Sequence, residues 1–201
     1  MKEIAIFGGA FNPPTHAHEA IIDAALHDQA IKEIWVMPSG TRTDKMDMLC
    51  DELRISMLKL MKEKRFTDNN KIVISDFELR LRRPTQTYKT IDMLSRCCPE
   101  LRFRYIFGAD SYQTMHTWEQ GKELKKKLNM FLVPRAGLAI PRTNKNIKIL
   151  NVPATIDMSL SSTMARHAAA RGQSIKHIVS HPIENLILES KLYQSSKQVK
   201  V

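Results

Sequence analysis

The chain has 201 residues, of which 43% are hydrophobic and 26% are charged. A chain of this length and composition can bury a core of its own, which excludes the disordered, collagen-like and coiled-coil classes. The net charge of +10 indicates attraction to polyanions such as nucleic acid, acidic lipid or nucleotide phosphates, but charge alone selects none of them.

Short apolar runs alternate with amphipathic stretches along most of the chain. Buried strands are predicted at residues 3–7, 32–37, 71–75, 102–107 and 129–133. Helices are predicted between them at 18–27, 51–64 and 87–97, since apolar residues recur there three or four positions apart. Strands that alternate with helices imply parallel crossovers, so the fold class is α/β, with helices on both faces of a parallel sheet.

The last third of the chain has a different pattern but no glycine- or serine-rich linker before it. A short strand is predicted at 147–152, followed by two helices that begin near Ser161 and Pro182. We therefore expect a single domain over residues 1–201, with an α/β core at 1–137 and a C-terminal helical segment at 138–201.

The sequence predicts a cytoplasmic protein without a membrane span. Its apolar runs are far shorter than the roughly 20 residues that a membrane helix needs, and the run at residues 4–7 is too short for a signal peptide. The three cysteines fit neither a disulfide framework nor a C-x-x-C site, which favours a reducing compartment.

Basic residues cluster at 80–83, at 122–127 and from Lys191 onward. No aromatic residues interleave them in the way that stacking on single-stranded bases requires. A solvated basic surface is therefore the favoured interpretation, and a nucleic-acid-binding module without catalysis stays as an alternative.

Two glycines and a helix start follow the first strand directly, in the sequence GGAFNPPTHAH at residues 8–18. Ligands of parallel α/β sheets bind at the carboxyl ends of the strands, which makes this turn a candidate site. Gly8 and Gly9 let backbone N–H groups approach a ligand, and the helix N-terminus adds positive charge that suits phosphate. Neither a Walker A loop nor a G-x-G-x-x-G fingerprint occurs. A phosphate-binding turn at this position would therefore be of a type other than these two.

Two histidines near the start of the first helix cannot face one site. Thr15 and His18 are three residues apart and share a helix face, whereas His16 and His18 lie about 200° apart. The spacing argues against a histidine pair on one metal ion, and no resident metal site is predicted. It favours Thr15 and His18 as a hydroxyl and an imidazole that face one phosphate; a capping threonine beside an incidental histidine is the alternative.

A second group of hydroxyl residues precedes a predicted helix, in SLSSTMAR at 159–166. Arg166 lies four residues after Ser162 and three after Thr163, so hydroxyls, first-turn N–H groups and a guanidinium can converge on one anion. Such an arrangement suits a triphosphate. Ordinary helix capping is the alternative.

Three further candidates follow predicted strands. Lys45 can clamp a phosphate, or can serve solubility alone. Asp110 can accept ribose hydroxyls, or can cap the next helix. For Trp118 the sequence by itself favours a core position over a stacking platform.

Taken in order, four segments resemble the nicotinate/nicotinamide mononucleotide adenylyltransferases. They are GGAFNPPTHAH at 8–18, YIFGAD at 105–110 with Trp118, FLVPR at 131–135 and SLSSTMAR at 159–166. The first is similar to the [His/Thr]-x-x-His signature of the wider nucleotidyltransferase superfamily, and the order matches along nearly the whole chain. The resemblance implies a Rossmann-like fold that transfers AMP from ATP to a pyridine mononucleotide and releases pyrophosphate, with Mg²⁺ carried by the nucleotide.

The resemblance also implies a role for each candidate residue. Thr15, His18 and Arg166 are expected to be catalytic. The expected ATP contacts come from three places: the turn after the first strand, the end of the fourth strand, and the segment of serine and threonine residues before the C-terminal helices. They are Gly8, Gly9, Ala10, Phe11, Gly108, Asp110, Ser161, Ser162 and Thr163. Expected contacts of the second substrate are Lys45 at its phosphate, Trp118 near the pyridine ring, and Arg135. The segment at 138–201 is expected to complete the ATP site.

The chain departs from the bacterial pattern at Asn12, Thr15 and Ala17, and it carries extra residues in the segment 78–90 that is expected to recognise the pyridine substituent. Nicotinate mononucleotide is the favoured acceptor, and nicotinamide mononucleotide is the first alternative. Another superfamily member, such as phosphopantetheine adenylyltransferase, is disfavoured by Trp118 and by the long C-terminal segment. The sequence leaves open the oligomeric state, including a homo-oligomer.

Overall fold

The computed structural model describes residues 1–40, 48–81 and 86–194. Within these ranges six strands form one sheet: β1 (Lys2–Gly9), β2 (Ile31–Pro38), β3 (Ile72–Ile74), β4 (Leu101–Gly108), β5 (Asn129–Val133) and β6 (Ile147–Ile149). Their order is β3-β2-β1-β4-β5-β6, and every neighbouring pair is parallel. The predicted parallel α/β sheet is confirmed, and its order is that of a doubly wound Rossmann-like fold, which changes direction between β1 and β4.

Helices follow the strands as the apolar periodicity predicts. They are α1 (His16–Leu26), α2 (Asp51–Arg65), α3 (Phe77–Arg80), α4 (Thr87–Cys97), α5 (Ala109–Thr114), α6 (Gly121–Lys127), α7 (Ser162–Ala170) and α8 (His181–Glu189). The predicted helices all occur, with ends within two residues of their predicted positions. The short helices α3, α5 and α6 were not predicted. They have four, six and seven residues, and a helix of two turns or fewer is too short for its apolar residues to show the helical period.

The central strand β1 is buried on both faces, which explains its continuous apolar run. Ala5 and Phe7 point into one core, formed with α1, α2, α7 and α8. Ile4 and Ile6 point into the other, formed with α4 and α6. Side chains alternate along a strand, so four consecutive apolar residues are needed to fill both cores.

The C-terminal segment is built onto the same sheet. Strand β6 pairs with β5 through Ile147 and Ile149, and Ala165 of α7 and Ile183 of α8 are fully buried in the core that contains α1. This packing brings the start of α7 to the carboxyl edge of the sheet, next to the turn after β1. Within the described ranges, no helix is both long and apolar enough to cross a bilayer.

Candidate active site

The turn after β1 is anchored in the core by Phe11. This residue has a φ of 46°, and its ring meets Phe7 edge to face at a centroid distance of 5.3 Å. A Cβ atom on Gly9 would stand 3.2 Å from the Phe11 ring, so a larger residue there would push the ring aside. The Phe11 side chain is buried, so a ligand contact from this residue would come from its backbone.

A buried arginine of α2 is hydrogen-bonded to the same turn. Arg54 is fully buried. Its Nη1 donates to the Ala10 carbonyl at 2.9 Å, and its Nη2 donates to the Ser39 carbonyl at 2.8 Å and to the Asp51 carboxylate at 2.6 Å. The guanidinium thereby ties the end of β1 to the end of β2. The carbonyl dipole of Ala10 is turned toward α2, which keeps its negative end away from an anion in the cleft.

Thr15 fixes the orientation of the His18 ring. The Thr15 backbone N–H donates to Nδ1 of His18 at 2.9 Å, and the Thr15 hydroxyl lies 2.8 Å from the same atom. A ring nitrogen that accepts a hydrogen bond carries no proton, so in the neutral imidazole the proton is on Nε2. Thr15 itself is buried. The structure therefore places its hydroxyl at the imidazole, and the Nε2–H is the donor that His18 offers to a ligand.

His18 is neutral at pH 7 in the free protein. Burial and the Arg135 guanidinium lower the pKa of His18 from 6.5 to about 4. The ring packs against Phe7 and Phe11 at centroid distances of 5.9 and 5.1 Å. These apolar surroundings disfavour the imidazolium, so His18 provides a hydrogen bond rather than a positive charge.

His16 faces a different part of the molecule. Its Nδ1 lies 3.0 Å from the Glu19 carboxylate, and its Nε2 lies 3.4 Å from the Lys176 carbonyl. The prediction that the two histidines do not share one site is confirmed. In the part of the chain that the structure describes, no three His, Cys, Asp or Glu side chains are grouped to hold a metal ion.

The start of α7 packs directly against the turn after β1. Ser161 caps the helix, and its hydroxyl accepts from the Met164 N–H at 3.2 Å. The Ser162 hydroxyl donates to the Pro13 carbonyl at 2.7 Å, and Nη1 of Arg166 donates to the Asn12 carbonyl at 3.0 Å. His18 and Arg166 therefore lie on the same side of the sheet, around one turn, and the N-termini of α1 and α7 lie side by side.

A tyrosine that follows α8 also reaches this turn. The Tyr193 hydroxyl donates to the Asn12 side-chain oxygen at 2.8 Å, which also accepts from the Leu49 N–H at 3.2 Å. Tyr193 is in the left-handed region with a φ of 65°. The C-terminal segment thus supports the turn at a third point, besides Ser162 and Arg166.

Two cavities open at the carboxyl edge of the sheet, one on each side of this turn. The α7-side cavity, of about 380 Å³, is lined by His18, Arg135 and the residues from Met158 to Thr163. The α4-side cavity, of about 290 Å³, is lined by residues that include Gly8, Gly9, Ala10, Glu78, Tyr105 and Trp118. Gly8, Gly9 and Trp118 therefore line the α4-side cavity. The serine and threonine residues at 161–163 line the other cavity, on the opposite side of the turn.

The other predicted site residues lie at the ends of β4 and β5. Arg135 lines the α7-side cavity and donates through Nη1 to the Met158 carbonyl, and its Nε lies 4.0 Å from the Asp110 carboxylate. Asp110 is in the first turn of α5, and a Cβ atom on Gly108 would collide with its carboxylate. Lys45, predicted to hold a phosphate, lies outside the described residues.

The contacts of Arg54 and Tyr193 with the turn were not predicted from the sequence, and neither was the position of Tyr105 in the lining of the α4-side cavity. Arg54 could have been found, because it is in helical register with the buried residues Met57, Leu58 and Met61, where a charged residue is unusual. Tyr193 lies beyond the last helix, and no local pattern in the sequence indicates that the chain turns back there.

The chain is similar to known proteins in both sequence and structure. Residues 6–168 match the family model described as cytidylyltransferase-like. A protein of Exiguobacterium sibiricum named "Probable nicotinate-nucleotide adenylyltransferase" is 29% identical over 193 residues, covering 95% of this chain and 98% of that protein. One of the same name from Nitratiruptor sp. is 31% identical over 148 residues, covering 73% and 81%. A structure of Plasmodium falciparum nicotinic acid mononucleotide adenylyltransferase complexed with NaAD has a TM-score of 0.85 at 24% identity and covers 96% of this chain and 98% of that one, which shows the same fold.

The His18 environment predicts an unusually acidic imidazole in the free protein. Its imidazole NMR signals should titrate with a midpoint near pH 4. The unfolded chain takes up this proton near pH 6.5, so the His18 contribution to stability is present above that pH and is lost as the pH falls toward 4. A midpoint near 6.5 in the folded protein would contradict the partly buried, Nδ1-accepting ring.

The Arg54 contacts predict a large stability effect. Arg54→Met leaves two partly buried carbonyls and the Asp51 carboxylate without this donor, and the free energy of unfolding in urea should fall by about 3 kcal/mol. Arg65→Met, at the exposed end of the same helix, is the matched control and should cost less than about 1 kcal/mol. Equal losses in both variants would show that Arg54 has no special role.

Proposed function

The chain belongs to the cytidylyltransferase-like family and, within it, to the nicotinate-nucleotide adenylyltransferases, and from this premise we propose that it transfers AMP from ATP to nicotinate mononucleotide. The products are deamido-NAD and pyrophosphate, in the biosynthesis of NAD. The observation that carries the proposal is the pair of cavities near the turn after β1: one is lined by Gly8, Gly9 and Ala10 of the turn, and the other is lined by His18 of the helix that follows it. A reaction that joins two nucleotides needs two such cavities close to each other.

In this proposal the triphosphate of ATP lies in the α7-side cavity. That cavity has the Nε2–H of His18, the guanidinium of Arg135 and the hydroxyls of Ser161 to Thr163. The N-terminus of α7 adds first-turn N–H groups and the positive end of the helix dipole. The residues after 137 thereby complete the ATP site, and residues 1–201 act as one unit. We propose that Asp110, exposed in the first turn of α5, accepts hydrogen bonds from the nucleotide ribose.

The mononucleotide lies in the α4-side cavity. Trp118 lines that cavity and packs edge to face on Phe107 at a centroid distance of 6.0 Å, which provides an aromatic surface for the pyridine ring. The glycine turn at the mouth of the cavity lies where the mononucleotide phosphate would meet the α-phosphorus of ATP. Lys45 is proposed at that phosphate.

The chemistry needs positioning and charge stabilisation rather than a base. The phosphate of a mononucleotide has a second pKa near 6, so it is largely a dianion at neutral pH. One of its oxygens forms the new bond to the α-phosphorus while the bond to the β-phosphate oxygen breaks, and the electron pair leaves with pyrophosphate. His18, the α7 N-terminus and Arg166 hold the phosphates in line for this step. Mg²⁺ carried by ATP supplies further neutralisation of charge.

No covalent nucleophile is needed in this reaction. The three cysteine thiols are free, which agrees with the proposed cytoplasmic location.

The acceptor is tested by measuring pyrophosphate release with ATP and four partners in separate reactions: nicotinate mononucleotide, nicotinamide mononucleotide, phosphopantetheine and a single-stranded oligonucleotide. The proposal expects the highest kcat/KM with nicotinate mononucleotide, and it fails if that acceptor gives no turnover.

His18 should contribute to the transition state. His18→Ala removes one preorganised hydrogen-bond donor, so kcat should fall by about 10²-fold or more while ATP still binds. His16→Ala is the matched control, because His16 faces Glu19 and the Lys176 carbonyl rather than the cleft, and its kcat should stay within about twofold of wild type. An unchanged kcat in His18→Ala would remove His18 from the mechanism.

Arg166 should matter mainly for ATP. Arg166→Ala removes the hydrogen bond to the Asn12 carbonyl and the guanidinium proposed to lie beside the phosphates. The KM for ATP should therefore rise by about tenfold or more. Arg171→Ala, at the exposed end of α7, is the control and should leave both constants unchanged. If neither the KM for ATP nor kcat changes in Arg166→Ala, Arg166 lies outside the site.

A further inference from the structure

Tyr105 carries a buried hydroxyl beside the α4-side cavity. Tyr105 lines this cavity, and its side chain is only 5% exposed. Its hydroxyl oxygen has no hydrogen-bond partner among the residues that the structure describes. A buried polar atom without a partner destabilises a folded chain, so one that lies in a ligand cavity points to a partner on the ligand.

The fold by itself would be served equally well by phenylalanine at this position. Phe103 and Phe107 flank Tyr105 on the same face of β4, at centroid distances of 6.3 and 6.4 Å. The three rings form one row that continues to Trp118, which also lines the cavity. Only the hydroxyl distinguishes Tyr105 from its neighbours in this row, and the packing of the core gives no reason for it.

The position of Tyr105 is suited to the ring end of a nucleotide. Tyr105 lies three residues before the end of β4 and pairs with Ile6 of β1, which is two residues before the glycine turn. It therefore lies about 10 Å below the edge of the sheet. A mononucleotide whose phosphate is held at the turn would extend its ring in this direction.

The charges in the cavity indicate what a ligand carboxylate would need in order to bind there. Burial raises the pKa of the Tyr105 hydroxyl, so it keeps its proton and can donate. Glu78 also lines the cavity, and its carboxylate accepts from the Thr90 hydroxyl at 2.7 Å. A second carboxylate entering this cavity would be repelled by Glu78 unless a donor compensated for its charge.

We propose that the Tyr105 hydroxyl donates a hydrogen bond to the ring carboxylate of nicotinate mononucleotide and is a specificity-determining residue of the acceptor site. This inference rests on the proposed function. A hydrogen bond to a carboxylate is stronger than one to a neutral carboxamide, so Tyr105 favours the acid over the amide. Without a ligand the hydroxyl costs stability, and with the ligand bound it contributes affinity.

The variant Tyr105→Phe tests this directly, because it removes one oxygen atom and keeps the ring. With nicotinate mononucleotide the KM should rise by about tenfold, and with nicotinamide mononucleotide by no more than about threefold. The ratio of kcat/KM for the acid to that for the amide should therefore fall, while the KM for ATP stays unchanged. Thermal unfolding without ligand should occur at or above the wild-type temperature, since the lost hydroxyl had no partner.

Tyr112→Phe is the matched control. Tyr112 lies in α5, outside the lining of the cavity, and its ring faces the Lys125 ammonium at 4.3 Å, a contact that phenylalanine keeps. It should leave both KM values unchanged, and the same loss in this variant would overturn the inference.

Three outcomes for Tyr105→Phe also overturn the inference: an unchanged KM for nicotinate mononucleotide, an acid-to-amide ratio that stays constant or rises, or a lower unfolding temperature of the free protein. Failure of the proposed function would differ from these, because wild type itself would then give no turnover with either mononucleotide.

Discussion

The carbonyl oxygens of the turn after β1 are held by donors from elsewhere in the chain, and the rest of the site depends on this arrangement. The Gly9 carbonyl accepts from the Ser39 N–H, that of Ala10 from Arg54, that of Asn12 from Arg166 and that of Pro13 from Ser162. A turn that presented these oxygens to the cleft would repel phosphates. Because each of these oxygens already accepts a hydrogen bond, its repulsion of an anion bound on either flank of the turn is reduced.

These donors come from three distant parts of the chain, so the site forms only when the whole fold is complete. Ser162 and Arg166 are separated from their partners by 149 and 154 residues, and Tyr193 is separated from Asn12 by 181. The C-terminal segment is therefore a structural requirement of the turn as well as a source of phosphate ligands. The same contacts bring two helix N-termini together, where the polyanion of the proposed reaction needs positive potential.

The sequence allowed the α/β class and all the longer elements to be predicted, because those elements have clear apolar periods. It also allowed the separation of His16 from His18 to be predicted, since this follows from helix geometry. The short helices α3, α5 and α6 were beyond reach for lack of a period. Tyr193 and Tyr105 were missed for another reason: their roles come from contacts across the tertiary structure, to Asn12 and to the cavity beside Trp118. Arg54 was missed although its register with the buried residues of α2 indicated an unusual buried charge.

A structure of the protein with both nucleotides, or with the dinucleotide product, would test the central claim most directly. The account predicts the AMP half beside α7, with a phosphate oxygen within hydrogen-bond distance of Nε2 of His18, and the pyridine half on the opposite flank of the turn, between Trp118 and Tyr105. Both halves bound on one flank, or an Nε2 atom with no phosphate near it, would contradict the account.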